Sequence, residues 1–372
     1  MIQDLTDPVM NIVGFSGSGK TVFIEKLIPW FKAQGYAPAY LKHSGHTHNF
    51  DTQGKDTARQ FEAGAVFSSI FSDSQWNFHG RGTIDEIWLQ SNAGTDLILL
   101  EGYSKSNFPK IVMVHATSGV PDELHWRLIP EDPALVWAYL TDTQQTADVI
   151  NETTEIQIAF CRDDIDQIGE YLLRRWHWYC LHKTNLNGAV FVGGKSSRMG
   201  ENKALMDHGK GPHAQFLFHL LSETPGLELV VYSNAQPLFE LTGTCVADQF
   251  VEKGPMGGLL SLFSYAPNAA WLVLACDLAK LDMELVEFLI LNRNPLKLAT
   301  VLVNPSQQME PLMAIYEPRI RFAMEQQLLR NRLSLSQCLK VAAIQRVAVP
   351  ENMQDQLANI NTQQERQQVL PR

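Results

Sequence analysis

The sequence predicts an α/β protein of two domains, each built on a mostly parallel sheet. Three observations carry this. Short apolar runs alternate with segments of helical period, the pattern of β-α-β units. The pattern begins twice, near residue 9 and again near residue 187, each time as a strand that stops at a glycine-rich loop. The chain has 372 residues, and at roughly 100–200 residues per domain that is room for two.

In chain order, Val9–Val13 is a strand ending at Gly14. Thr21–Gln34 spaces Val22, Phe23, Leu27, Ile28 and Phe31 as a helix. Pro29 lacks an N–H and is expected to kink or shorten it. Ala37–Leu41 is a second strand, followed by a polar loop from Lys42 to Lys55. Asp56–Ala63 reads as a helix closed by Gly64, and Val66–Phe71 as a strand. Asp96–Leu100 is a continuous apolar run ending at Glu101, with Asp96 expected at the surface. Ile111–Val114 and Leu135–Leu140 complete the first set of strands. Trp176, His177, Trp178 and Tyr179 are too aromatic for a linker and are assigned to the last helix of the first half. The boundary then falls at Lys183-Thr184-Asn185, giving domains 1–183 and 187–372. In the second half Asn187–Val192, Leu227–Tyr232 and Trp271–Leu274 are strands, the last ending near Asp277. The two openings are not repeats, because their loops differ in spacing and chemistry.

Hydrophobic content of 45% and charged content of 19% are ordinary for a globular chain. A net charge of −10 argues against a nucleic-acid partner, which calls for a basic face. It leaves room for a small phosphorylated ligand, which needs only local cations and backbone N–H groups. Cys161, Cys180, Cys245, Cys276 and Cys338 are scattered and form no CxxC pair. That suits reduced thiols better than a disulfide framework or a zinc site. No basic segment leads into an apolar run at the N-terminus, so no signal peptide is expected. No apolar stretch approaches about 18 residues, so no membrane span is expected. The expectation is a cytoplasmic protein that engages neither nucleic acid nor membrane.

The segment Gly14-Phe15-Ser16-Gly17-Ser18-Gly19-Lys20-Thr21 fits GxxxxGK[ST]. Gly14, Gly17 and Gly19 let successive N–H groups curl around a phosphate. Lys20 can neutralise its oxygens, and the Thr21 hydroxyl can ligate Mg²⁺. A strand before and a helix after supply the required context. Glu101, at the end of a buried strand, is placed either to hold Mg²⁺ or its water or to serve as an ordinary strand-end acid. His43, His46 and His48 form either a metal-ligating loop or a polar loop near phosphates.

Together with Lys42-His43, Asp51, Gly54-Lys55-Asp56, Glu62–Ala65 and Leu97–Tyr103, this loop resembles MobB, the adapter of molybdopterin-guanine dinucleotide biosynthesis, over residues 9–115. The resemblance implies a P-loop NTPase-like domain that binds GTP, associates with the transferase of the pathway and is a weak GTPase at most. It assigns nucleotide and Mg²⁺ binding to Lys20, Thr21 and Glu101, with the Asp51–Asp56 loop close by.

The second loop runs Gly193-Gly194-Lys195-Ser196-Ser197-Arg198-Met199-Gly200-Glu201-Asn202-Lys203. Paired glycines admit a nucleotide close to the backbone. Arg198 and Lys203 can place two cations on its phosphates and stabilise charge building on a pyrophosphate leaving group. The loop resembles the GGxSxRMGxxK signature of MobA-type nucleotidyltransferases, with Phe191 and Val192 where Leu-Ala is usual. Val230–Asn234, Asp248 with Lys253–Gly258, Ala275-Cys276-Asp277, Glu310-Pro311-Leu312 and Asn359–Thr362 resemble later elements of that family, in order, over residues 187–366. Two places depart from its pattern: Leu278-Ala279-Lys280 replaces a Pro-x-Leu, and Gln363 replaces a proline.

The resemblance implies a Rossmann-like nucleotidyltransferase sheet that transfers GMP from GTP to molybdopterin. Phe191, Val192, Gly193, Gly194 and Lys203 would bind the nucleotide, and Arg198, Lys203 and Asp277 would be catalytic. Either Ser233 or Asn234, with Asp248 and Gly257, would take guanosine. Asp277 would hold Mg²⁺; a carboxylate at the carboxyl edge of a strand suits that role on chemical grounds as well. Cys276 is expected to be a buried neighbour without nucleophilic function. Implied partners are Mo-molybdopterin, molybdoenzyme apoproteins and cofactor-delivery proteins. Alternatives are a cytidylyl or sugar-phosphate nucleotidyltransferase, and a GTP-binding adapter with an inactive transferase half. The cytidylyl type usually carries Ala-Gly in place of Gly193-Gly194.

Overall fold

The computed structural model describes residues 8–43, 67–71, 76–80, 95–114, 133–153, 158–192, 211–234, 241–276 and 278–357. The chain forms two compact units, one holding Val9–Leu172 and the other Leu173–Arg372.

The first unit contains β1 (Val9–Gly14), α1 (Lys20–Ala33), β2 (Pro38–Lys42), β3 (Phe67–Phe71), β4 (Trp76–Gly80), β5 (Leu97–Glu101), β6 (Lys110–Val114), β7 (Val136–Thr141), α2 (Gln144–Thr153), β8 (Ala159–Cys161) and the first part of α3 (Ile165–Lys183). Six strands pair in the order β2-β5-β1-β6-β7-β8, every pair parallel. β3 and β4 form a separate antiparallel ribbon. All residues of β5 and β6 are buried, as expected of parallel strands covered on both faces. α1 is not shortened at Pro29 but continues to Ala33. Phe23, Ile24 and Leu27 before the proline and Phe31 after it are all buried, so packing holds the last turn despite the missing N–H. Asp96 is not at the surface. It is buried and accepts a hydrogen bond at 2.7 Å from the Ala37 N–H, tying the start of β5 to the entry of β2.

In the second unit the elements are β9 (Leu186–Phe191), α4 (His213–Glu223), β10 (Val230–Asn234), β11 (Cys245–Ala247), α5 (Gly254–Tyr265), β12 (Ala270–Ala275), α6 (Met283–Leu291), β13 (Ala299–Val303), β14 (Met309–Tyr316), α7 (Ile320–Leu329), α8 (Leu335–Val341) and β15 (Ile344–Ala348). The sheet order is β11-β10-β9-β12-β14-β13-β15. It is parallel except for β14, which lies antiparallel between β12 and β13. β10 begins three residues later than the apolar run from Leu227 suggests and continues through Asn234. Alternation along the strands feeds two cores, one on each face. Val190, Leu272 and Leu274 join one core, and Ala189, Phe191, Trp271 and Val273 the other. Inside this unit Arg293 and Glu317 form a buried pair at 2.7 and 2.9 Å.

No helix among the described residues is long and apolar enough to cross a membrane.

Candidate functional site

In the first unit the site is built where β1 passes into α1. Gly17 and Gly19 hold φ of +80° and +83°, a left-handed backbone that favours glycine. Between them the Ser18 N–H donates back to the Phe15 carbonyl at 3.2 Å, closing the turn. The Lys20 ammonium donates to the carbonyls of Gly14 at 3.0 Å and Phe15 at 2.7 Å. Burial pushes the Lys20 pKa below the usual lysine range, against the raising effect of Glu101.

One strand away, β5 delivers Glu101, which is 4% exposed. Thr21 Oγ1 lies 3.1 Å from both carboxylate oxygens. Tyr40 Oη donates to Oε2 at 2.7 Å, and Lys42 pairs with Oε1 at 3.1 Å. Burial alone would raise the Glu101 pKa, but the hydrogen bonds from Tyr40, Lys42 and Thr21 outweigh it and hold the carboxyl below the usual range. Burial and the Glu101 hydrogen bond in turn raise the Tyr40 phenol. Tyr40 and Lys42 were not singled out for this role from the sequence, because only the pairing of β2 with β5 brings them to Glu101. His43 donates its backbone N–H to the Glu101 carbonyl at 2.9 Å and stacks on Tyr103 at 4.5 Å. The loop after Glu101 is held from below. Asn11 Nδ2 donates to the Tyr103 carbonyl and to Ser106 Oγ, and the buried Lys110 donates to the Ser106 carbonyl.

A Thr21 hydroxyl and a Glu101 carboxylate in mutual contact are hard oxygen donors of the type that suits Mg²⁺, and the two residues predicted to share that ion are thus brought together. Among the described residues no group of three or more His, Cys, Asp or Glu could hold a metal ion. His46, His48 and the Asp51–Asp56 loop lie outside the described residues.

The second unit gathers its described candidate residues at the carboxyl ends of β9, β10 and β11, the edge where open α/β sheets bind ligands. The Val192 N–H donates to the Ser233 carbonyl at 3.1 Å, and the Cys276 N–H to the Phe191 carbonyl at 3.3 Å. Cys276 is half-buried rather than buried. Ser233 is itself buried and donates to Asp248 Oδ1 at 3.3 Å, while Asn234 accepts the Asp248 N–H at its carbonyl, at 2.9 Å. Gly258 of α5 makes the floor: a Cβ there would stand 3.0 Å from Ser233 Oγ, 3.3 Å from the Phe191 ring and 3.4 Å from Asp248 Oδ1. Its neighbour Gly257 packs on the Phe250 carbonyl, which a Cβ would approach to 2.4 Å. Burial raises the Asp248 pKa above the usual carboxylate range, against the lowering effect of Ser233.

Gly193, Gly194, Arg198, Lys203, Asp277 and the Asn359–Thr362 segment lie outside the described residues. The chain on either side of Asp277 is described. Leu278 is buried, and its carbonyl contacts Nε2 of the buried His213 at 3.1 Å. His213 belongs to no motif, and the fold alone brings it to this segment.

Residues 9–129 match the family described as MobB, molybdopterin guanine dinucleotide synthesis protein B. Residues 188–345 match the family described as MobA-like NTP transferase domain. The chain is similar to the molybdopterin-guanine dinucleotide biosynthesis adapter protein of Haemophilus influenzae, with 36% identity over 111 residues, covering 28% of this chain and 62% of that one. It is similar to the molybdenum cofactor biosynthesis bifunctional protein of Synechocystis, with 31% identity over 196 residues, covering 50% and 54%. It is also similar to the "Probable molybdenum cofactor guanylyltransferase" of Carboxydothermus hydrogenoformans, with 32% identity over 193 residues, covering 50% and 95%. The chain therefore spans 62% and 54% of the length of the first two relatives.

Proposed function

We propose a function for a chain that belongs to the MobB family in its first half and to the MobA-like NTP transferase family in its second: it transfers GMP from GTP to Mo-molybdopterin. In this reading a phosphate oxygen of molybdopterin attacks the α-phosphorus of GTP. The new P–O bond forms, the bond to the β-phosphate breaks, and pyrophosphate leaves. The substrate supplies its own nucleophile, so catalysis consists of positioning and charge stabilisation.

The observation that supports this reading is the meeting of Phe191, Ser233 and Asp248 over Gly258. It lies at the carboxyl edge of β9, β10 and β11, beside the strand end that leads into the Gly193–Lys203 loop. The buried Ser233 with Asp248 would take the guanosine. Gly193, Gly194, Arg198 and Lys203 would take the triphosphate. Asp277 would hold Mg²⁺, which when bound neutralises phosphate charge. In the first half Lys20 would grip a second GTP, with Thr21 and Glu101 as Mg²⁺ ligands. Fusion of the two halves raises the local concentration of one at the other.

The test is to incubate the protein with Mg²⁺, Mo-molybdopterin and either GTP or CTP, and to weigh the product. GMP attached from GTP alone, and lost in Asp277→Ala, is the expected result. CMP attached instead would overturn the choice of base. No product from either nucleotide, with GTP binding that depends on Lys20, would leave an adapter with an inactive transferase half.

A further inference from the structure

A second cation stands at the Gly14–Thr21 loop, and no motif accounts for it. Arg162 follows β8 directly, and its N–H donates to the Thr141 carbonyl at 2.9 Å. A tight turn comes next: the Asp164 N–H reaches the Cys161 carbonyl at 3.0 Å and the Ile165 N–H reaches the Asp163 carbonyl at 2.9 Å. The side chain is thus rooted in the sheet edge and in the start of α3. Its guanidinium extends to the loop, where Nη1 is 3.5 Å from the Ser18 carbonyl and would stand 3.2 Å from a Cβ on Gly19. The same Nη1 pairs with Asp142 at the end of β7, at 2.6 Å, with both side chains about one-third exposed. A cavity of about 260 Å³ opens beside it, lined by Gly17, Gly19, Val22, Lys26 and Asp163 among others. Val22 is 56% exposed, so the cavity offers an apolar surface next to its cations.

Resting on the reading that this loop binds GTP, we propose that Arg162 is a further nucleotide-binding residue, which exchanges Asp142 for a phosphate oxygen of the nucleotide when the loop fills. A partly exposed ion pair is a weak partner, screened by water and salt. A guanidinium fork fits phosphate as well as it fits carboxylate, and a polyphosphate brings more negative charge than one aspartate. Lys20 rests at the Gly14–Phe15 end of the loop and Arg162 at the Ser18–Gly19 end, so the two cations flank the cradle. Asp142 acts here as a placeholder that keeps the arginine in position while the loop is empty.

The experiment uses the intact protein and a fluorescent GTP analogue with Mg²⁺. The component of binding lost in Lys20→Ala defines the loop, separating it from any nucleotide bound by the second half. Arg162→Ala should weaken that component about tenfold or more, as expected for lost charged hydrogen bonds. Arg162→Lys, which keeps the charge without the fork, should fall between. Asp142→Asn should strengthen it by freeing Arg162. Thermal melts of each variant check that the fold is retained. The proposal is overturned if Arg162→Ala leaves the Lys20-dependent component unchanged. It is equally overturned if Asp142→Asn weakens binding as much as Arg162→Ala, for Asp142 would then support the site rather than compete for it. If Lys20→Ala removes no component, the loop is not a nucleotide site, and the proposal falls with its premise.

Discussion

Gly257→Ala tests how the second unit holds Asp248. A Cβ at Gly257 would lie 2.4 Å from the Phe250 carbonyl oxygen and 2.9 Å from Lys253 Cβ. A main-chain oxygen cannot rotate aside, so the segment must retreat by about 1 Å to reach ordinary contact. Alanine in the helix interior would by itself add about 1 kcal/mol of stability. Overpacking of this kind costs about 1–3 kcal/mol, and a blocked backbone belongs at the upper end, leaving a net loss of about 2 kcal/mol. The strain reaches the site through a short relay. The Gln249 N–H donates to Ser261 Oγ at 2.9 Å, and that hydroxyl donates to the Gly257 carbonyl at 2.8 Å. Asp248 directly precedes Gln249, so on the proposed role of Asp248 the KM for GTP should rise in step. Urea denaturation followed by tryptophan fluorescence, with steady-state transfer kinetics, reads both effects. A variant stabilised by the helix propensity of alanine, with KM unchanged, would refute the reasoning. Gly258→Ala provides a contrast. Its Cβ meets the Ser233 hydroxyl at 3.0 Å, a group that can turn away, so KM should rise with a smaller change in stability.

Three further outcomes are expected. Asp248 has a raised pKa from burial, so its contribution to stability is present below the unfolded aspartate value and is lost as pH rises through the folded one. Asp248→Asn should therefore stabilise the second unit at pH 7 and, on the proposed role of Asp248, abolish transfer; denaturation midpoints should converge with wild type below about pH 4. Glu317→Gln should destabilise the second unit by about 3–5 kcal/mol, because Arg293 remains buried without its counter-charge; the double change Arg293→Met with Glu317→Leu should recover most of that loss in the same denaturation assay. Tyr40→Phe removes the 2.7 Å donor from Glu101 and should lower the stability of the first unit by about 1 kcal/mol, measured by denaturant titration.

Much of the fold was legible because parallel strands buried on both faces read as continuous apolar runs. Leu97–Leu100 and Ile111–Val114 are such runs, and both are strands within a residue of the expected bounds. Two local expectations were decided by tertiary contacts. Asp96 looks like a surface acid until the pairing of β2 and β5 places it against the Ala37 N–H. Pro29 allows a kinked or a shortened helix, and the burial of Phe31 removes the shortening. The antiparallel β14 had no signature either, since an internal strand's direction depends on its neighbours and not on its own residues.

By itself the sequence determined the Gly14–Thr21 loop and its setting between a strand and a helix. Lys20 and Thr21 are bound to their glycines by spacing along the chain. The tertiary structure alone decided the partners that surround them. Tyr40 and Lys42 reach Glu101, Arg162 reaches Ser18 and Asp142, and His213 reaches Leu278. Each of these contacts joins residues far apart in the chain, set by the order in which strands enter a sheet. A motif records what must be adjacent along the backbone. A contact across strands leaves no fixed spacing, and so becomes visible only when the sheet has formed.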